Sequence, residues 1–282
     1  GTDIMIAEDP EDEGFWEESY PDGATLPELV LNGDYEDLGS ELVTCGDFSC
    51  ADPDEEWTTQ AGWLIGGGSA NYDFTTNSKY LRQTLLSGGF VSGKSYRINF
   101  EITDGTAYMN IKSNAETLVS SNLYSTGSYS LYITASANGS DLLIYGINTQ
   151  GTKFSIDNVS VKQVDPNDRW SLGDGWSIED GKAKCDGSQS SGTQLTQNMT
   201  LGNGSSYEVT FRLESISAGN VDGRFQGSGS TVTGTSRTSA GTYTEIITST
   251  GNTSFRLRGN DAFVGVIDNV SIKEYAIQPK DI

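Results

Sequence analysis

Histidine is absent from the sequence. That single absence removes Ser-His-Asp and Cys-His catalysis and every His-ligated metal site. Basic residues are scarce as well: 17 Lys and Arg face 39 Asp and Glu, for a net charge of −22. Binding to a nucleic-acid backbone depends on clustered Lys and Arg, so it is disfavoured. No apolar run reaches the ~18 residues that a membrane-spanning helix needs, and no membrane insertion is expected. No secretory leader is visible at the first residues. Only three cysteines occur, Cys45, Cys50 and Cys185, so at least one is unpaired within the chain. Cys45 and Cys50 bracket Gly-Asp-Phe-Ser and could close a small bridge. A strand between them would hold them too far apart, which makes free, buried thiols the expected state.

What the sequence has in abundance is glycine, with 34 residues, among many Ser, Thr and Asn. This composition predicts short strands joined by turns and an all-β fold. The strands occur twice. Ile156-Asp157-Asn158-Val159-Ser160-Val161-Lys162 returns as Ile267-Asp268-Asn269-Val270-Ser271-Ile272-Lys273, 111 positions later with one change. The alternation of apolar and polar residues is that of a half-buried strand. Gly93–Ile102 returns at Gly204–Leu213, with Tyr96, Ile98, Phe100 and Ile102 on one face of the first copy. Gly127–Thr134 and Asp141–Gly146 have counterparts at Gly241–Thr248 and Ser254–Gly259. Trp57 and Trp63 lie six residues apart, as do Trp170 and Trp176. Landmarks in one order at a nearly constant offset define two versions of one unit, each long enough to bury a sandwich core.

Charge is unevenly spread. Residues 1–40 hold 13 acidic side chains and no Lys or Arg. Two readings fit this arm: a solvated acidic tail, or a docking arm for a basic surface. Phe15, Trp16 and Tyr20 favour docking, because a solvating tail has little use for aromatics.

The N-terminal region carries one strand too many. Leu29-Val30-Leu31-Asn32-Gly33-Asp34-Tyr35 is followed, 13 residues on, by the near copy Leu42-Val43-Thr44-Cys45-Gly46-Asp47-Phe48. No such strand directly precedes Trp170. The first copy either completes the second unit, with the first unit inserted between, or is a vestigial duplicate packed elsewhere. The expected divisions are an arm over 1–28, an extra strand over 29–40, domains over 41–164 and 165–275, and a tail over 276–282.

These landmarks resemble carbohydrate-binding modules of the galactose-binding-like, jelly-roll type. The motifs that carry the resemblance are Leu-Val-x-Asn-Gly-Asp-aromatic, the spaced tryptophans, Gly-x-x-Tyr-x-(Val/Ile)-x-Phe and Ile-Asp-Asn-Val-Ser-(Val/Ile). Together the two copies cover residues 29–275. The resemblance implies two tandem jelly-roll β-sandwiches. It also extends to tandem modules in structural proteins of tailed bacteriophages. That implies a non-catalytic accessory virion protein, a capsid decoration or fibre displayed on the virion surface. Its arm would contact other virion structural proteins, and its modules would meet cell-surface or environmental glycans. The alternative is a tandem carbohydrate-binding module of a secreted, glycan-active protein. No enzyme is expected, since no pair of carboxylates stands out in an apolar setting. Sheet faces and edges would support a homo-oligomer, and no heptad sets its number.

The resemblance also implies candidate site residues. Sugar-binding relatives use exposed aromatic faces, which nominates Trp57, Trp63, Trp170 and Trp176. Their regular placement in both units makes core packing the favoured alternative. Tyr72 and Tyr80, with Tyr108 and Tyr124, are less regular and thus less explained by the fold. No cofactor is required, but relatives carry a structural Ca²⁺ between a first-strand glutamate and a last-strand aspartate. Glu36, following Tyr35, and Asp268 match those positions, as does Asp157, whose unit has Ser49 instead of the glutamate. A turn role for the two aspartates is the competing reading.

Overall fold

The computed structural model describes residues 26–74, 79–147, 153–189, 191–260 and 262–275. The chain forms two compact units, one inserted in the other. The inserted unit is Glu36–Asn167, and the outer unit joins the chain up to Tyr35 with the chain from Asp168 onward. No helix of the described residues is long and apolar enough to cross a membrane.

Each unit is a jelly-roll sandwich of two antiparallel sheets. In the inserted unit the strands are β1 (Leu38–Glu41), β2 (Thr58–Thr59), β3 (Trp63–Ile65), β4 (Ala70–Tyr72), β5 (Lys79–Thr84), β6 (Ser95–Gly105), β7 (Ala107–Lys112), β8 (Thr117–Tyr124), β9 (Gly127–Thr134), β10 (Asp141–Gly146) and β11 (Phe154–Val164). One sheet runs β3-β4-β11-β6-β9, with β1 also on β11, and the other runs β2-β5-β10-β7-β8. The outer unit has β12 (Ser171–Leu172), β13 (Trp176–Glu179), β14 (Lys182–Asp186), β15 (Thr193–Asn198), β16 (Asn203–Ala218), β17 (Val221–Gln226), β18 (Val232–Thr233), β19 (Gly241–Thr250), β20 (Ser254–Gly259) and β21 (Val264–Glu274). Its sheets run β13-β14-β21-β16-β19 and β12-β15-β20-β17-β18.

The cores follow the period-2 pattern. Tyr96, Ile98, Phe100 and Ile102 of β6 are buried, and so are Tyr207, Val209, Phe211 and Leu213 of β16. One face of each strand enters the sandwich because consecutive side chains point to opposite sides.

The closing motif explains itself residue by residue. Asn158 and Asn269 take φ of 52° and 51°, the left-handed region that Asn tolerates better than most residues. They kink β11 and β21, where the pairing registers with β6 and β16 shift. The preceding aspartate caps the kink: Asn158 N–H donates to Asp157 Oδ1 at 2.6 Å, and Asn269 N–H to Asp268 Oδ1 at 2.7 Å. The following valine N–H then leaves the sheet for a glycine carbonyl, Val159 to Gly46 and Val270 to Gly33, each at 2.8 Å. A Cβ on Gly46 would lie 1.8 Å from Val159 O, and one on Gly33 would lie 2.1 Å from Val270 O. Only glycine permits that approach.

The serine of the motif meets a glutamate. Ser160 Oγ and Val161 N–H donate to Glu41, at 2.6 and 2.7 Å. Ser271 Oγ and Ile272 N–H donate to Glu28 in the same way. Glu28 also pairs with Lys273 by a β-bridge, and Leu29 N–H donates to Ile272 O at 2.9 Å. Leu42 N–H makes the matching bond to Val161 O. The segment at Leu29 thus closes the outer unit as the segment at Leu42 closes the inserted one. The boundaries fall at Glu36 and Asn167 rather than at 41 and 164.

The cysteines require a correction. Cys45 and Cys50 form a disulfide, with Cα atoms 5.6 Å apart. No strand separates them. Cys45 and Phe48 both have positive φ, and Phe48 N–H donates back to Cys45 O. This turn folds the segment back and brings the thiols within bridging reach. Cys185 is free and buried.

Candidate functional site

The tryptophans are core residues. Trp57 is 1% exposed, and Trp63, Trp170 and Trp176 are buried as well, at 5–6%. Trp57 Nε1–H donates to Cys45 O at 3.0 Å, and Trp170 Nε1–H to Asn32 O at 2.8 Å. Each indole ties the N-terminal turn of its unit to the interior and has no free face for a sugar ring. Phe48 packs on Trp57 at 5.2 Å, and Tyr35 packs on Trp170 at 5.3 Å. Tyr72 and Tyr124 are buried too. Trp63, Tyr72 and Phe154 form one ring cluster. They floor a cleft of about 310 Å³ rimmed by Asp73, Asp104 and Lys153.

Tyr80 and Tyr108 point elsewhere. On the sheet β2-β5-β10-β7-β8, Leu81, Leu142, Ile144 and Met109 are buried in the sandwich. The alternate positions therefore face outward. Tyr80 lies opposite Tyr145, and Tyr145 opposite Asn110. Leu143 is flanked by Arg82 and Lys112, and Tyr108 by Leu123, which is 54% exposed. The Tyr80 and Tyr145 rings meet edge to face at 5.3 Å, and Lys112 Nζ sits 4.8 Å from the Tyr145 ring centre. Asp141 is held by Thr84 Oγ1 at 3.0 Å and by an ion pair with Arg82 at 3.2 Å. The face thus carries a half-exposed aromatic pair beside a cation, an ion pair and an amide. Flat CH-rich surfaces stack on such rings, and the polar groups can fix hydroxyls.

Sequence reasoning named Tyr80 and Tyr108 but missed Tyr145, Lys112, Arg82 and Asp141. The available signal was parity. In the strand Asp141–Gly146 the tyrosine falls on the positions opposite to Leu142 and Ile144.

The residues expected for calcium form no metal cage among the described residues. Glu36 is exposed and opens the inserted unit, whereas Asp268 belongs to the outer one. The glutamates that reach the closing strands are Glu28 and Glu41, and each carboxylate is taken up by backbone and hydroxyl donors. Among the described residues no three acidic, Cys or His side chains come together as a metal cage. Burial raises the Asp157 carboxyl above its usual range. The N–H of Asn158 opposes that rise, and Glu101 and Asp47 add to it. Phe15, Trp16 and Tyr20, the proposed docking arm, lie outside the described residues.

No family model matches the chain, and no curated protein matches it. Solved structures are similar at low identity. The N-terminal CBM22-1–CBM22-2 tandem domain of Xyn10C from Paenibacillus barcinonensis is 12% identical, with a TM-score of 0.32, over 85% of this chain and 98% of that one. The CBM22-1 xylan-binding domain of the same protein is 13% identical, with a TM-score of 0.32, over 45% of this chain and 95% of that one. A Paenibacillus xanthan lyase is 15% identical, with a TM-score of 0.29, over 92% of this chain and 27% of that one. With TM-scores this low, the jelly-roll assignment rests on the strand order of this chain itself.

Proposed function

We propose that the chain is a non-catalytic, tandem carbohydrate-binding protein whose inserted unit grips a glycan across the outward face of β5, β10 and β7. The observation that carries this reading is the half-exposed Tyr80–Tyr145 pair, with Lys112 against Tyr145 and the Arg82–Asp141 ion pair beside it. A sugar ring stacks its CH face on Tyr145, and Lys112, Arg82 and Asn110 bind its hydroxyls. Asp141 orients Arg82 for that task. The Cys45–Cys50 disulfide supports work in an oxidising, extracellular setting. Display on a virion surface is the second reading. It depends on the acidic arm and on no side chain of the described face, so the glycan-binding role takes precedence.

A glycan array with the full chain, followed by titration calorimetry on the best neutral oligosaccharide, tests the proposal. Tyr145→Ala and Tyr80→Ala should each weaken binding by about tenfold or more, which corresponds to ~1.4 kcal/mol. Unchanged affinity in both variants would remove this face as the site.

A further inference from the structure

The outer unit has the same face with different chemistry. Register defines the matching positions. Gln83 and Gln197 make identical two-bond clasps to Thr44 and Leu31, which aligns β5 with β15. Asp141 lies opposite Thr84 as Ser254 lies opposite Asn198, which aligns β10 with β20. Tyr145 lies opposite Asn110 as Arg258 lies opposite Asp222, which aligns β7 with β17. The position of Tyr145 is therefore Arg258, that of Leu143 is Arg256, and that of Lys112 is Arg224. Tyr80 becomes Gln194.

These side chains face outward, because Phe255, Leu257 and Phe225 between them are buried in the core. Among the described residues, three guanidinium groups and the carboxylate of Asp222 share the patch, a local charge of about +2 by Coulombic counting, in a chain of net charge −22. Asp222 is already committed, taking Arg224 in a two-pronged pair at 2.7 Å for each bond. Arg256 is oriented by Gln194 at 2.7 Å and by Ser254 at 3.2 Å. Arg258 has no ion pair among the described residues. Its guanidinium lies against Gly192, where a Cβ would come within 2.4 Å of Nη2. Two guanidinium forks thus stand braced on a half-buried sheet face, and among the described residues no further carboxylate pairs with them. A fork of this kind matches a planar carboxylate in two hydrogen bonds.

We infer that the outer unit binds a carboxylate-bearing polysaccharide, with Arg258 and Arg256 taking the uronate groups and Arg224–Asp222 bracing the patch. The inference rests on the glycan-binding reading above. It divides the labour of the pair, with the inserted unit stacking sugar rings and the outer unit selecting their charge.

The test uses affinity electrophoresis of the full chain through gels containing polygalacturonate, its methyl-esterified form, alginate, xylan or dextran sulfate. The expected result is retardation by polygalacturonate or alginate. Arg258→Gln with Arg256→Gln should weaken it by about tenfold or more, with retardation by neutral polymers unchanged. Arg258→Lys should recover only part of the loss, and circular dichroism on each variant separates a lost contact from a lost fold. Retardation by neutral polymers alone, abolished by Tyr145→Ala, would overturn this inference and leave the proposed function standing. No retardation by any polymer would overturn both. Equal retardation by dextran sulfate, with the same arginine dependence, would replace carboxylate recognition with general attraction to polyanions and overturn the inference.

Discussion

The Glu28 carboxylate accepts a hydrogen bond from the Ile272 backbone N–H at 2.7 Å, although 244 residues separate them. It also accepts from Val30 N–H at 3.0 Å and from Ser271 Oγ. One side chain therefore ties the N-terminal segment of the outer unit to its last strand, β21. Hydrogen bonds to a charged acceptor stabilise more than neutral ones, and three donors share this one. Glu28→Ala should cost the outer unit about 2–3 kcal/mol. Glu41→Ala should do the same to the inserted unit. Denaturant melts followed by domain-resolved hydrogen exchange check this, and each variant should loosen only its own unit.

Tyr35 carries a hydroxyl that its counterpart Phe48 lacks. The ring is enclosed on Trp170, and the hydroxyl is buried with no hydrogen-bond partner among the described residues. Burial also drives its pKa well above the usual tyrosine value. Tyr35→Phe should therefore stabilise the outer unit by about 1 kcal/mol. A rise in the denaturation midpoint is the expected measurement, and a fall would mean that the hydroxyl has a partner in solution.

The disulfide constrains a loop of six residues from Cys45 to Cys50. Chain-entropy arguments put its stabilisation at about 2 kcal/mol. Cys45→Ser with Cys50→Ser should lower the stability of the inserted unit by that order. Cys185 should behave differently: burial raises its thiol pKa, and the side chain is enclosed. A thiol reagent should label nothing in the native protein and one cysteine per chain in denaturant without reductant.

Asp157 supplies a pH signature. Its folded-state pKa is raised by burial, so between the unfolded and folded values the folded chain binds more protons. Its contribution therefore falls as pH rises through that window and stays unfavourable above it. Asp157→Asn retains an acceptor for the Asn158 N–H and removes the charge. The variant should melt higher than the parent at pH 7, and the difference should shrink toward pH 3. Thermal melts at the two pH values decide the matter.

Much of the fold was legible because repetition reports itself. The motif Ile-Asp-Asn-Val-Ser recurs because every position has a backbone duty, from the left-handed Asn269 to the glutamate-bound Ser271. The two Leu-Val segments raised nesting as one of two arrangements for the same reason. The site was less legible. Trp57 and Tyr145 are both large aromatics on a β-sandwich, and composition does not separate a core ring from a surface ring. Parity along β10 does, but only once its neighbours are known. The calcium reading placed the glutamate at Glu36, after the aromatic. The glutamates in contact with the closing strands are Glu28 and Glu41, which precede Leu-Val.

The sequence by itself determined two all-β units, their strand periodicity and the exclusion of histidine chemistry. These follow from local geometry, which residue type dictates directly. Only the tertiary structure decided that Cys45 reaches Cys50, that the four paired tryptophans are core, and that Tyr145 and Arg258 hold the same place on two faces. Those facts depend on which strands lie side by side. Strand pairing joins residues far apart in the chain, so it cannot be read from any one segment.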